Sequence, residues 1–182
     1  MWLTVEPPDQ RLSQRDNSAE VRGWSEADRR QLDAASEQLS TLPSTRWLRD
    51  LWSTAVTGAS QGFAVLPEEI VEACSRGEGL SERDLAFLVR VTTQKEIAPA
   101  IAALRTLGLL AETYPFLLGS ITVYLERGLT HEFAQVRAAA AEALWAAGAS
   151  QSASIIRAAA ATEATPDARE HMLHAARLLS AR

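Results

Sequence analysis

Apolar side chains recur every three or four residues along most of this chain, which is the spacing of one face of an α-helix. Leu32, Ala35 and Leu39 follow this spacing in one segment, and Ile101 and Leu104 follow it in another. We find no segment with the sustained alternation of apolar and polar residues that indicates a half-buried β-strand. The pattern therefore predicts an all-α protein of about nine helices.

Residues that favour helix ends lie between the apolar segments. Ser25 and Ser81 each precede an acidic residue by three positions, which is the spacing of an N-terminal capping box. Thr130 precedes an alanine-rich segment and Gly148 follows it, so we expect these two residues to begin and end one helix. The capping signals also predict a helix over residues 26–40.

The segment 131–179 contains an internal repeat. Alanine-rich helical blocks alternate in it with short breaks that contain Gly, Ser or Pro. A shift of 32 residues superposes Arg137 on Arg169 and Ala143 on Ala175. A helix, a turn and a second helix that repeat within roughly 30 to 45 residues are typical of a helical solenoid. Because alanine offers little apolar area, we expect stability to come from stacking between the helical hairpins.

Residues Val136 to Leu144 have the sequence Val-Arg-Ala-Ala-Ala-Ala-Glu-Ala-Leu. This segment resembles the first helix of a HEAT-like repeat of the short bacterial type, whose pattern is Val-Arg-x-x-Ala-Ala-x-Ala-Leu. The resemblance covers the last half of the chain and implies a HEAT-like α-solenoid, a right-handed stack of helical hairpins. The same repeat type is also found in phycobilin lyases.

The chain divides into three predicted parts. Residues 1–24 contain Pro7, Pro8 and a polar run without helical periodicity, so we interpret them as an N-terminal extended arm. Residues 25–95 are predicted to form N-terminal helices that cap the stack. Residues 96–182 hold the HEAT-like helical repeats.

Composition and charge restrict the class of protein. Hydrophobic residues make up 47% of the chain and charged residues 23%, which is typical of a soluble globular domain. The N-terminus lacks the basic start and apolar core of a signal peptide, and no uninterrupted apolar run reaches about 18 residues. We therefore expect a cytoplasmic protein without a membrane span. A net charge of −5 also makes a nucleic-acid partner an unfavoured expectation.

Candidate chemistry is sparse. His171 and His174 lie on one side of a predicted helix but lack the spacing of the His-Glu-x-x-His zinc motif and a signalled third ligand. Cys74 is the single cysteine, and we interpret it as a small buried residue. Trp145 is interpreted as a core residue, although an exposed tryptophan would be a strong interface anchor. We expect no metal, no cofactor and no enzymatic activity.

Four arginines of the repeats are candidates for partner binding: Arg137, Arg157, Arg169 and Arg177. Arg137 and Arg169 each lie near an acid at a predicted helix start, Glu132 or Asp167. In HEAT-like families an arginine at this position usually joins a ladder between neighbouring units. The alternative is an arginine-lined groove that binds an acidic peptide or, less readily, nucleic acid.

These features favour a non-catalytic scaffold or adaptor that binds one protein partner. A solenoid presents several rigid helices for recognition and requires no catalytic group. By analogy of fold, such a binder includes immunity-type or antitoxin-type neutralisers of a single partner. Two alternatives remain open: a nucleic-acid-binding HEAT-like protein, and a lyase or chaperone for a chromophore-bearing protein.

Overall fold

The computed structural model describes residues 24–41, 46–57 and 82–181. Eight α-helices run through these residues: α1 Glu26–Ser40, α2 Arg46–Thr57, α3 Glu82–Val91, α4 Ile97–Thr113, α5 Leu118–Gly128, α6 Ala134–Ala146, α7 Ala153–Thr162 and α8 Pro166–Ser180. No strand occurs in the described ranges, so the predicted all-α class is confirmed for them. Residues 1–23 of the predicted arm and the segment around Cys74 lie outside the described residues.

Helix α1 begins with the predicted capping box. The Ser25 hydroxyl accepts a hydrogen bond from the Asp28 backbone N–H at 3.1 Å, and the Asp28 carboxylate accepts one from the Ser25 backbone N–H at 2.9 Å. Both bonds satisfy N–H groups that the first helical turn leaves without an intrahelical partner. The predicted core positions Leu32, Ala35 and Leu39 are buried.

The predicted cap at Thr130 is wrong. Both the Thr130 backbone N–H and its hydroxyl donate to the Arg127 carbonyl, at 3.0 and 2.9 Å, so this residue completes the end of α5. Helix α6 begins four residues later at Ala134, after an extended Phe133. The predicted end at Gly148 is confirmed, because Gly148 has a φ of 71°, and the following N–H, that of Ala149, donates to the Leu144 carbonyl at 3.0 Å. This bond is typical of a glycine-terminated helix.

Helix α4 lies at the centre of the described helices. Of its 17 residues, 13 are buried, which is typical of a helix that is apolar on all sides. Helices α1, α2 and α3 each pack against it, and α5 and α6 cover its remaining sides. Among the described residues no single helix is long and apolar enough to cross a membrane; α4 and the segment Pro115–Gly128 meet the criterion only together, with a bend of 120° between them.

The repeat helices form a row in which α6 packs between α4 and α8. Helix α5 packs against α4 and α6, and α7 packs against α8. The contact between α4 and α6 is close, because a Cβ atom added to Gly108 would lie 2.9 Å from the Ala143 carbonyl oxygen. Small residues at this contact therefore bring the two backbones together and set the row of α4, α6 and α8.

Two glycines of α5 allow a test of the packing between α5 and α6. A Cβ atom added to Gly128 would lie 2.7 Å from the Cβ of Ala140, whereas one added to Gly119 would meet nothing within 4 Å. We expect Gly128→Ala to destabilise the protein by about 1–2 kcal/mol, because overpacking outweighs the gain in helix propensity. Gly119→Ala should be neutral or stabilising by about 0.5 kcal/mol. Urea denaturation of both variants measures the difference, and equal midpoints would contradict the packing at Gly128.

Candidate functional site

The repeat arginines make the same backbone contact at the starts of α6 and α8, and we call each of these helices with its preceding loop a unit. The Arg137 guanidinium donates to the His131 carbonyl at 2.6 Å, six residues upstream. The Arg169 guanidinium donates to the Glu163 carbonyl at 2.6 and 2.9 Å, also six residues upstream. Each arginine is the fourth residue of its helix, α6 or α8. The 32-residue shift found in the sequence therefore matches a repeated local structure.

Glu163 connects these two units. Its carboxylate accepts two hydrogen bonds from the Arg137 guanidinium, at 2.6 and 2.8 Å, and a third from the Thr165 backbone N–H at 2.9 Å. The side chain is only 1% exposed. The hydrogen bonds from Arg137 and, to a lesser extent, from Thr165 lower the pKa of Glu163 to about 2. The hydrogen bond with Glu163 raises the pKa of the Arg137 guanidinium. Both groups therefore remain charged across the physiological range.

His131 is equivalent to Glu163 under the 32-residue shift, and it lies in the loop before α6 as Glu163 lies in the loop before α8. Its Nδ1 accepts a hydrogen bond from the backbone N–H of Phe133, two residues on, at 3.2 Å, as Glu163 does from Thr165. Its Nε2 lies 3.2 Å from the carbonyl oxygen of Gln94, which precedes α4. Each loop therefore uses one side chain to contact the unit before it.

The four predicted arginines do not form one cluster. Arg137 and Arg169 meet at Glu163, as an inter-unit ladder requires, but the acid is Glu163 and not Glu132 or Asp167. Glu132 contributes its backbone carbonyl to Arg137 at 2.9 Å. Two of the predicted arginines lie elsewhere.

Arg157 and Arg177 lie away from the Glu163 cluster. Arg157, on α7, donates to the Ser180 hydroxyl at the end of α8. Arg177 is exposed on α8 and borders a cavity between α6 and α8. Their role in partner binding stays a prediction, and Arg177 is the one that adjoins a concave surface.

A concave surface runs over the row of α4, α6 and α8. It consists of a cavity of about 320 Å³ over all three helices and a cavity of about 250 Å³ between α6 and α8. Glu142 and His171 line both cavities, so the two adjoin, and we call them together the repeat groove. Its length along α6, from Ala134 to Trp145, is about 17 Å at the helical rise of 1.5 Å per residue.

A polar row crosses the middle of the repeat groove. The Glu142 carboxylate of α6 lies 3.7 Å from the Arg105 guanidinium of α4 and 3.2 Å from Nδ1 of His171 on α8. The Glu142 side chain is 18% exposed. One carboxylate thus receives a contact from each neighbouring helix. His171, which the sequence analysis did not interpret as a metal ligand, is engaged in this row.

Small side chains form the floor of the larger cavity. Ala134, Ala138 and Ala139 of α6 and Ala168 of α8 line it, together with Ile101 of α4. Because these methyl groups are short, they leave space above α6, and the longer polar side chains around them rise above this part of its surface. The alanine-rich composition that brings the helices together therefore also produces the groove.

The described residues hold no group of three or more His, Cys, Asp or Glu side chains that could bind a metal ion. The geometry provides a polar row, an alanine floor and a tryptophan at one end, Trp145, which is half-buried. Such a surface supports recognition by shape and charge. Comparison with family models, curated proteins and solved structures finds no significant match to this chain.

The sequence interpretation missed Glu163, Arg105 and Glu142 as organising residues. A signal for Glu163 was available, because the shift that aligns Arg137 with Arg169 also aligns His131 with Glu163. No comparable signal exists for Arg105 and Glu142, whose positions in α4 and α6 become adjacent only through helix packing.

Proposed function

We propose that this chain is a HEAT-like helical-repeat protein that binds one protein partner in the repeat groove, without catalysis. The observation that carries the proposal is the pair of adjoining cavities over α4, α6 and α8, which offers a recognition surface drawn from three helices. The repeated loop contacts of Arg137 and Arg169 support a repeat architecture of this type. An immunity-type neutraliser of a single partner is one form of such a binder.

The charge of the groove favours a protein over a nucleic acid. Three carboxylates line it, those of Glu142, Asp167 and Glu170, against two guanidinium groups, those of Arg105 and Arg177. Nucleic-acid binding depends on many cationic contacts with phosphates. With histidines counted as neutral, the groove carries a net charge of −1, which opposes a phosphate backbone.

Two tryptophan substitutions, one inside the groove and one outside it, test whether the groove binds the partner. We expect Ala138→Trp to fill the groove floor and to lower the capture of one protein from the native host by about tenfold or more, which corresponds to about 1.4 kcal/mol. Ala158→Trp places the same side chain at an exposed position of α7 and should leave capture unchanged. Affinity isolation with quantitative mass spectrometry measures both, and circular dichroism confirms that each variant is folded.

Two results would contradict the proposal. Equal capture by the wild type and the two variants would exclude the groove as the binding surface. Binding of labelled duplex DNA at about 0.15 M salt, where weak phosphate attraction is screened, would favour the nucleic-acid alternative. We expect an anisotropy titration under these conditions to show no saturable binding.

A further inference from the structure

The smaller cavity of the repeat groove, between α6 and α8, has an apolar wall and charged ends. Trp145, Ala175 and Leu178 form the wall. Glu142 and Glu170 contribute carboxylates, and Arg177 contributes a guanidinium group. The cavity therefore combines a surface for an aliphatic chain with acceptors for a cationic group.

The charges in this cavity are separated along α8. Glu142 contacts His171 at 3.2 Å, and Glu170 is the neighbour of His171 in sequence, so the two carboxylates lie at the same end. Arg177 comes seven residues after Glu170 on α8, which is about 10 Å at the helical rise of 1.5 Å per residue. The cavity has an acidic end and a basic end, with Trp145 as part of the wall between them.

We propose that this cavity binds a basic side chain, arginine or lysine, from a segment of the protein partner. This inference rests on the proposed function and specifies the chemistry that the groove recognises. The cavity lining holds two carboxylates and one guanidinium group, and Glu142 also contacts Arg105 at 3.7 Å. With a whole-chain charge of −5, charge complementarity at the Glu170 end favours a cation.

Both parts of a basic side chain find a suitable environment here. The aliphatic stem packs on Trp145, Ala175 and Leu178, as the stems of long cationic side chains do on apolar surfaces. The cationic head is attracted to Glu142 and Glu170, and the Trp145 ring adds a cation–π attraction at close range. Arg177, about 10 Å away at the other end, disfavours a cation there and sets the direction in which the side chain lies.

Three capped tripeptides provide the test: N-acetyl-Ala-Arg-Ala-amide and its analogues with citrulline or glutamate in place of arginine. Citrulline has nearly the shape of arginine without its charge. The readout is the indole N–H signal of Trp145 in a ¹H–¹⁵N spectrum, which Trp145→Phe identifies among the five tryptophans. We expect the arginine peptide to shift this signal with an affinity about fivefold higher than that of the citrulline peptide.

A pair of charge variants locates the effect. Glu170→Gln removes one acid of the cavity and should lower the affinity for the arginine peptide by about threefold. Glu132→Gln removes the same charge at an exposed position outside both cavities and should leave that affinity unchanged.

Several results would overturn the inference. These are equal affinities for the arginine and citrulline peptides, a preference for the glutamate peptide, equal effects of Glu170→Gln and Glu132→Gln, and no shift of the Trp145 signal with any peptide. Capture of a partner that is lost in Ala138→Trp, together with one of these results, would reject the basic side chain and retain the proposed function. Selective binding of the arginine peptide without capture of any partner would retain the site for a basic side chain and reject the proposed function.

Discussion

Glu163→Ala should destabilise the protein by about 3 kcal/mol at pH 7, because it breaks a buried, doubly hydrogen-bonded ion pair. Removing one partner of such a pair typically costs about 3–5 kcal/mol, since the remaining charge stays buried. Arg137 retains 21% exposure, so water can solvate part of its guanidinium and the low end of this range applies. The variant also removes the acceptor for the Thr165 N–H.

The contribution of this pair to stability should depend on pH. The pKa of Glu163 is lowered from the ordinary value of 4.5 to about 2 in the folded protein. A lowered folded-state pKa gives a stabilisation that is present above the unfolded-state pKa and is lost as the pH falls towards the folded-state value. We therefore expect the wild type to lose stability relative to Glu163→Gln between about pH 4.5 and pH 2.

Urea denaturation at pH 7 and pH 3 measures both effects. Glu132→Ala is the matched control, because this acid is exposed and its contact with Arg137 is made by the backbone carbonyl. A loss below about 1 kcal/mol in Glu163→Ala would show that the pair behaves as a solvent-exposed ion pair. A constant difference between the wild type and Glu163→Gln at the two pH values would contradict the lowered pKa.

The helices were predictable where local signals agree. Ser25 and Asp28 supply a capping box, and the apolar positions of α1 follow one face, so the predicted bounds of residues 26–40 match the structure. The prediction at Thr130 failed because a threonine between two helices can bond either to the end of the first or to the start of the second. Its hydroxyl bonds to the Arg127 carbonyl, and sequence alone does not indicate which helix receives that bond.

The candidate site was predictable only in part, because its residues come together through packing between distant segments. Arg137 and Arg169 were found from their shared position in the repeat, but their acid, Glu163, lies in the loop before α8. Arg105 and Glu142 belong to different helices, and their contact depends on how α4 and α6 are rotated towards each other. A repeat pattern fixes equivalent positions within units, whereas contacts between units require the packing angle.

Ala143→Leu should also destabilise the protein strongly, by about 3 kcal/mol, because it overpacks a close contact between two helices of the row. Ala143 is fully buried in α6. A Cβ atom added to Gly108 of α4 would lie 3.0 Å from the Ala143 Cα and 3.2 Å from its Cβ. Three further carbon atoms at Ala143 therefore have no space unless α4 and α6 separate.

The effect of Ala143→Leu should extend beyond this contact, because α6 also packs against α8. Ala158→Leu is the control, since Ala158 is exposed on α7 and the same change costs little helix propensity there. The two variants are compared by thermal and urea denaturation. An unchanged midpoint in Ala143→Leu would mean that α4 and α6 can separate at no cost. In that case the close packing of small residues would not hold the row, and the groove over α4, α6 and α8 would lose its structural basis.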